Sequence, residues 1–199
     1  MTISDELMER AKRVRLLALD VDGVLTDGGL YYGQDGEAFK RFDVKDGHGL
    51  VLWRNVGFAT AILTARSSKM VEIRAGELRI PFVLQGERDK GRGFDKLLEL
   101  CQIPPDEIAY IGDDVNDLPV LSRVGFSATP ADGRPEVKDQ VHYVCENPGG
   151  HGAVRELCEL LLRANGRWAD ALAIHPPVTR AESEPASGGR ASSRAPSST

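Results

Sequence analysis

Cysteine is scarce in this chain. The three present, Cys101, Cys145 and Cys158, are odd in number and too widely spaced for a thiolate metal site, so reduced structural thiols are expected. Basic charge is not in excess: 25 Lys and Arg stand against 30 Asp and Glu, and no basic stripe is set to neutralise a nucleic-acid backbone. Nucleic acid is therefore excluded as a partner. Long apolar runs are also missing, none approaching the roughly 20 residues of a membrane span, which excludes a membrane protein of helical type. The opening MTISDELMER is polar where a secretory signal needs an apolar core, and the expected location is the cytoplasm.

What is present is enough apolar sequence, 41% of 199 residues, for one sizeable core. Composition changes after Ile174, where Pro, Ser, Gly, Ala and Arg leave almost nothing to bury. Residues 1–174 read as one catalytic domain and 175–199 as a disordered tail. Within the domain, short apolar runs alternate with segments of helical period, the pattern of crossover units feeding a parallel sheet. Strands are expected at 15–20, 58–64, 81–85, 107–112, 125–129 and 142–145, and helices at 47–55, 67–79, 89–101, 115–123 and 151–164. Ser4 is a helix cap ahead of the first strand. The fold class is α/β, a Rossmann-like parallel sheet with helices on both faces. LYYGQDGEAFKRF (30–42) breaks the alternation and reads as a β-hairpin turning at Gly33-Gln34-Asp35-Gly36.

The chemistry concentrates at strand ends, where open α/β sheets hold ligands. In LLALDVDGVLTDGG (16–29) a buried run ends in two carboxylates one residue apart. Asp20 can attack while Asp22 handles protons, and Gly23 lets the backbone curl against an anion. The bland alternative is a solvated Asp-x-Asp-Gly turn. In IGDDVNDLPVL (111–121), Asp113 and Asp114 supply the hard oxygens that magnesium prefers. An acid-rich helix start accounts for Asp114 and Asp117, but not for Asp113 behind Gly112 at a buried strand's end. Thr64 can hold a phosphate oxygen at a helix start, or simply cap that helix. Lys90 lies near a helix N-terminus, where a cation opposes the dipole; it either neutralises nucleophile and phosphate or joins a solvated face with Arg88, Arg92 and Lys96. An aspartate nucleophile, a second acid, a metal pair, a hydroxyl and a lysine together fit phosphoryl transfer through an aspartyl-phosphate.

DVDGVLTDG, Thr64, Lys90 and GDDVND resemble the four motifs of the haloacid-dehalogenase phosphatases. Residues from about 13 to 166 further resemble the 3-deoxy-D-manno-octulosonate 8-phosphate phosphatase branch, through the hairpin, FDVKDGHG (42–49), QGERDK (85–90) and GGHGAVREL (149–157). The resemblance implies Mg2+ held by the side chains of Asp20 and Asp113 and the carbonyl of Asp22, with Asp114 beside them. It gives Asp20 as nucleophile, Asp22 as acid and base, and Thr64 and Lys90 as phosphoryl holders. Sugar contacts are implied for Asp43, Val44, Lys45, Asp46, Gly47, Arg66, Arg74 and Asn116, besides Asp22 and Lys90. The 25 residues between Thr64 and Lys90 leave no room for a cap domain. In relatives the cover comes from neighbouring subunits of a homotetramer, and Leu30, Tyr31, Tyr32 and Phe39 would be this chain's contact surface.

The expected substrate is thus a small acidic sugar phosphate, either the octulosonate ester or a nonulosonate 9-phosphate. A phospho-accepting receiver domain is a different class with similar residues. There the adjacent acid pair precedes the phosphoacceptor, whereas here Asp-x-Asp comes first.

Overall fold

The structure is a computed structural model, and it describes residues 4–173; the tail expected at 175–199 lies outside them. Six strands form one wholly parallel sheet: β1 (Leu16–Leu19), β4 (Ala59–Leu63), β5 (Phe82–Leu84), β6 (Ile108–Ile111), β7 (Phe126–Thr129) and β8 (Tyr143–Val144). Their order is β5-β4-β1-β6-β7-β8, which puts the first strand at the centre. Leu19 is in register with Ile62 on one side and Ile111 on the other, so the ends carrying the motifs lie side by side.

Alternation along β1 divides the core in two. Leu17 and Leu19 pack into a cluster with Trp53, Leu157 and Leu161, beneath α1 (Asp5–Arg13), α2 (Val44–Asn55) and α7 (Ala153–Ala164). Leu16 and Ala18 pack into another with Phe94, Leu97 and Tyr110, beneath α4 (Lys90–Cys101). The α/β fold expected from the sequence is present, including Ser4 as the cap that accepts from the Leu7 amide at 3.2 Å.

Several boundaries move for local reasons. Helix α2 starts at Val44 because the Asp43 side chain caps it, accepting from the Lys45 amide at 2.7 Å. The helix expected at 115–123 is realised as a 3-10 turn, Val115–Asp117, followed by one α-turn, α5 (Leu118–Leu121), with Pro119 in its first positions. Helix α3 (Lys69–Leu78) falls within its expected span, while α6 (Pro135–Lys138) and α8 (Trp168–Ala173) carry too little periodic sequence to be foreseen. The hairpin stands apart as an antiparallel pair, β2 (Tyr31–Gly33) and β3 (Gly36–Phe39). A Thr26–Phe42 bridge ties its base to the loop after β1. No helix among the described residues is long and apolar enough to cross a membrane.

Candidate active site

Asp20 leaves β1 directly, 5% exposed, with its amide donating to the Ile111 carbonyl at 3.0 Å. One carboxylate oxygen, Oδ2, pairs with Lys90 Nζ at 2.6 Å; the other, Oδ1, is buried without a hydrogen-bond partner. Lys90 is the first residue of α4, and its side chain is wholly buried. Burial opposes its charge, but the Asp20 and Asp117 carboxylates outweigh that and hold the ammonium above its ordinary range. The helix-dipole misfit thus has its explanation: the lysine serves the pocket beneath Asp20.

Asp117 completes that pocket; in sequence it reads only as an acid in a helix's first turn. It is fully buried and all its acceptor capacity is engaged. Oδ1 takes Lys90 and the Tyr110 hydroxyl, the latter at 2.6 Å; Oδ2 takes the amides of Asp113 at 3.0 Å and Asp114 at 3.3 Å. Its work is to anchor Lys90 and shape the loop that carries Asp113.

Oxygens of Asp20, Asp113 and Asp117 lie within 4.8 Å of one another. Burial first, then the Asp20 and Asp117 charges, pushes Asp113 up to about 7; burial and Asp117 raise Asp20 to about 6 against the pull of Lys90. Such crowding of carboxylates around an unpartnered oxygen suits a hard divalent cation. Since Asp117 has no oxygen to spare, the residues that fit a magnesium ion are Asp20 and Asp113. Asp114, expected as a ligand, does not join the cluster. It is exposed at the pocket rim and accepts from the Val115 amide at 2.7 Å. Gly23 is required here: at φ +84° a Cβ would sit 2.2 Å from Asp113 Oδ2.

Asp22 faces the same cavity, about 320 Å³ in volume, which is also lined by Thr64, Arg66, Asp113 and Asn116. Its carboxylate pairs with Lys40 Nζ and with Arg66 Nε at 3.4 Å. Lys40 was not singled out in the sequence, yet its side chain is only 2% exposed. It also pairs at 3.0 Å with Glu37, whose other oxygen accepts from the Ser68 hydroxyl. Thr64 follows β4, buried, its amide donating to the Leu84 carbonyl at 3.0 Å.

The remaining expected contacts divide. Val44, Arg74 and Phe42 line a second cavity of about 370 Å³, where Arg74 reaches the Asp43 carbonyl at 3.4 Å and Glu77 at 3.1 Å. Lys45 and Gly47 line neither cavity. Asp46 is turned inward: 1% exposed, it accepts from the amides of Gly152 at 3.2 Å and Arg155 at 2.8 Å, capping α7 from α2. Helix α7 needs this, since its own N-cap is Gly152. The loop before α7 presses on the loop after β1 so tightly that a Cβ on Gly149 would lie 1.8 Å from the Gly23 carbonyl oxygen.

A central strand that ends in Asp20, a second acid two residues on, a buried lysine and an acidic loop define a class. Residues 55–157 match the family described as haloacid dehalogenase-like hydrolase. The chain belongs to that family. It is 44% identical over 169 residues to the 3-deoxy-D-manno-octulosonate 8-phosphate phosphatase KdsC of Escherichia coli, covering 85% of this chain and 90% of that one. The crystal structure of the Yersinia pestis 3-deoxy-D-manno-octulosonate 8-phosphate phosphatase superposes with a TM-score of 0.81 at 42% identity, over 83% of this chain and 89% of that one. The Moraxella catarrhalis phosphatase of the same name, in complex with magnesium ion, phosphate ion and KDO molecule, superposes at 0.83 with 38% identity, over 86% and 99%. Within the family, the chain falls in this phosphatase branch.

Proposed function

We propose that the chain is a magnesium-dependent phosphatase that hydrolyses 3-deoxy-D-manno-octulosonate 8-phosphate in the cytoplasm, through an aspartyl-phosphate on Asp20. The observation that carries this is the buried Asp20 carboxylate, paired with Lys90 on one oxygen and unpartnered on the other. The branch membership and the Moraxella relative's bound magnesium, phosphate and KDO support the substrate.

Magnesium held by Asp20, Asp113 and the Asp22 carbonyl supplies charge neutralisation between carboxylate and phosphate. Asp20 attacks phosphorus as the sugar O–P bond breaks, and Asp22 delivers its proton to the departing alcohol oxygen. Asp22 then takes a proton from the water that attacks phosphorus, and the Asp20 O–P bond breaks to release phosphate. Lys90 keeps Asp20 ionised and, with Thr64 and its loop, holds the phosphoryl oxygens. Arg66 and Asn116 line the cavity that receives the sugar.

The hairpin exposes Leu30, Tyr32 and Phe39, a surface suited to a homotetramer in which neighbours cover the open site. The test is phosphate release from the octulosonate 8-phosphate and from a nonulosonate 9-phosphate, with magnesium and with chelator. Preference for the first, lost in chelator and in Asp20→Asn, is expected. Preference for the nonulosonate moves the substrate, and release by Asp20→Asn at near wild-type rate removes Asp20 from the mechanism.

A further inference from the structure

A lysine with 2% of its side chain exposed, reaching from the foot of a surface hairpin into a catalytic pocket, needs a reason. Burying an ammonium is unfavourable unless it is closely paired, and an exposed hairpin offers every chance to leave it in water. Lys40 follows strand β3 and stands two residues before Phe42, whose bridge to Thr26 fixes the hairpin foot on the loop that also carries Asp22. Its Nζ is shared between two carboxylates from different segments, Asp22 and Glu37. Glu37 is itself held, by the Ser68 hydroxyl and by Arg66 Nη2 at 3.8 Å. Arg66 closes the circuit, its Nε on Asp22 and its Nη2 donating to the Tyr32 hydroxyl at 3.2 Å.

We infer that Lys40 is a positioning residue for proton transfer, fixing the Asp22 carboxyl group against the leaving-group oxygen, with Glu37 as the anion that keeps Lys40 in place. This rests on the reading of Asp22 as general acid and base. The geometry favours it over a purely structural pair: a lysine needed only to fasten the hairpin would be satisfied by Glu37, yet Nζ also grips the cavity carboxylate to which the proposed mechanism gives both proton transfers. Among the described residues, the other side chain paired with Asp22 is Arg66, which is 42% exposed. A long, half-exposed guanidinium is a poor gauge of position, whereas a buried ammonium pinned from behind is a good one. The hairpin's inner foot thereby belongs to the catalytic machinery of its own chain.

The test is kcat/KM, which reads the phosphorylating half-reaction alone, along a series of substituted phenyl phosphates whose leaving groups range from nitrophenol to phenol. Good leaving groups need no proton; poor ones do. General acids contribute about 10²–10⁴-fold, so losing the positioning of one should remove roughly 10–100-fold for the poorest leaving group. Lys40→Met should steepen the dependence on leaving-group pKa, Lys40→Arg should restore much of the loss, and Glu37→Gln should steepen it more weakly. Asp22→Asn is measured on the same series. If Asp22→Asn steepens the plot and Lys40→Met lowers every point equally or none, Lys40 is structural and the inference is overturned. If Asp22→Asn leaves the slope unchanged, the acid role of Asp22 falls, and the inference with it.

Discussion

Replacing Lys90 with methionine should unbalance the site in a way that pH can read. The buried ammonium serves two carboxylates, Asp20 with a side chain 7% exposed and Asp117 with none exposed. Removing one member of a buried ion pair typically destabilises by about 3–5 kcal/mol, because a charge is left uncompensated. Asp20 can escape this by staying protonated. Its carboxyl already lies at about 6 with Lys90 opposing the rise, so without Lys90 it goes higher. A carboxyl raised in the folded state contributes its stability below the unfolded value, near 4, and loses it as pH climbs through the folded value. Each unit of that climb is worth about 1.4 kcal/mol, so between pH 5 and 8 the variant can lose up to about 4 kcal/mol where the wild type, its Asp20 ionised above about 6, loses about 1.4, and the gap between them widens by up to about 3 kcal/mol. In chelator, Lys90→Met should therefore fall roughly 5–10 °C further below wild type at pH 8 than at pH 5, at about 2–4 °C per kcal/mol for a domain this size. Magnesium should narrow the gap at pH 8 by replacing the lost cation. The measurement is thermal denaturation at both pH values with and without magnesium. A deficit of the same size at pH 5 and pH 8 would refute the electrostatic account and leave only lost packing.

Three further expectations follow from the same geometry. Magnesium affinity, measured by titration calorimetry, should rise from pH 6 to pH 8, because Asp113 must give up a proton held to about 7; a flat profile counts against Asp113 as ligand. Gly23→Ala should raise the magnesium requirement well beyond that of Asp114→Ala, since its Cβ would displace Asp113 while Asp114 stands outside the cluster. The reverse ranking would make Asp114 the ligand. Asp46→Ala should lower stability by about 1–3 kcal/mol through unsatisfied amides at the start of α7 and leave KM for the sugar phosphate nearly unchanged; a large KM rise without loss of stability would return Asp46 to the substrate.

What the sequence made legible was whatever local pattern encodes. Apolar runs bounded by turn residues located the strands, and the acids at the ends of Leu16–Leu19 and Ile108–Ile111 located the site. Lys90 was legible as an anomaly, a cation at the wrong end of a helix. Lys40 and Asp117 were not, because a charged residue beside a turn or in a first helical turn looks the same solvated or buried; only tertiary placement separates them. The buried place of Asp46 was hidden for the same reason. The resemblance alone placed it among the sugar contacts, while the partners of its carboxylate, Gly152 and Arg155, lie more than a hundred residues away in the chain.

The central position of β1 also bears on how the chain comes off the ribosome. Leu16–Leu19 emerges before both of its partners, Ala59–Leu63 on one edge and Ile108–Ile111 on the other. Until the second arrives, an apolar strand has an open edge able to pair with another nascent chain. Asp20 likewise has neither Lys90 nor Asp113 beside it when it is made, so no N-terminal fragment holds a working site. The polar helix α1, drawn from DELMERAKR just upstream, is already made when that strand emerges and can help keep it in solution while it waits.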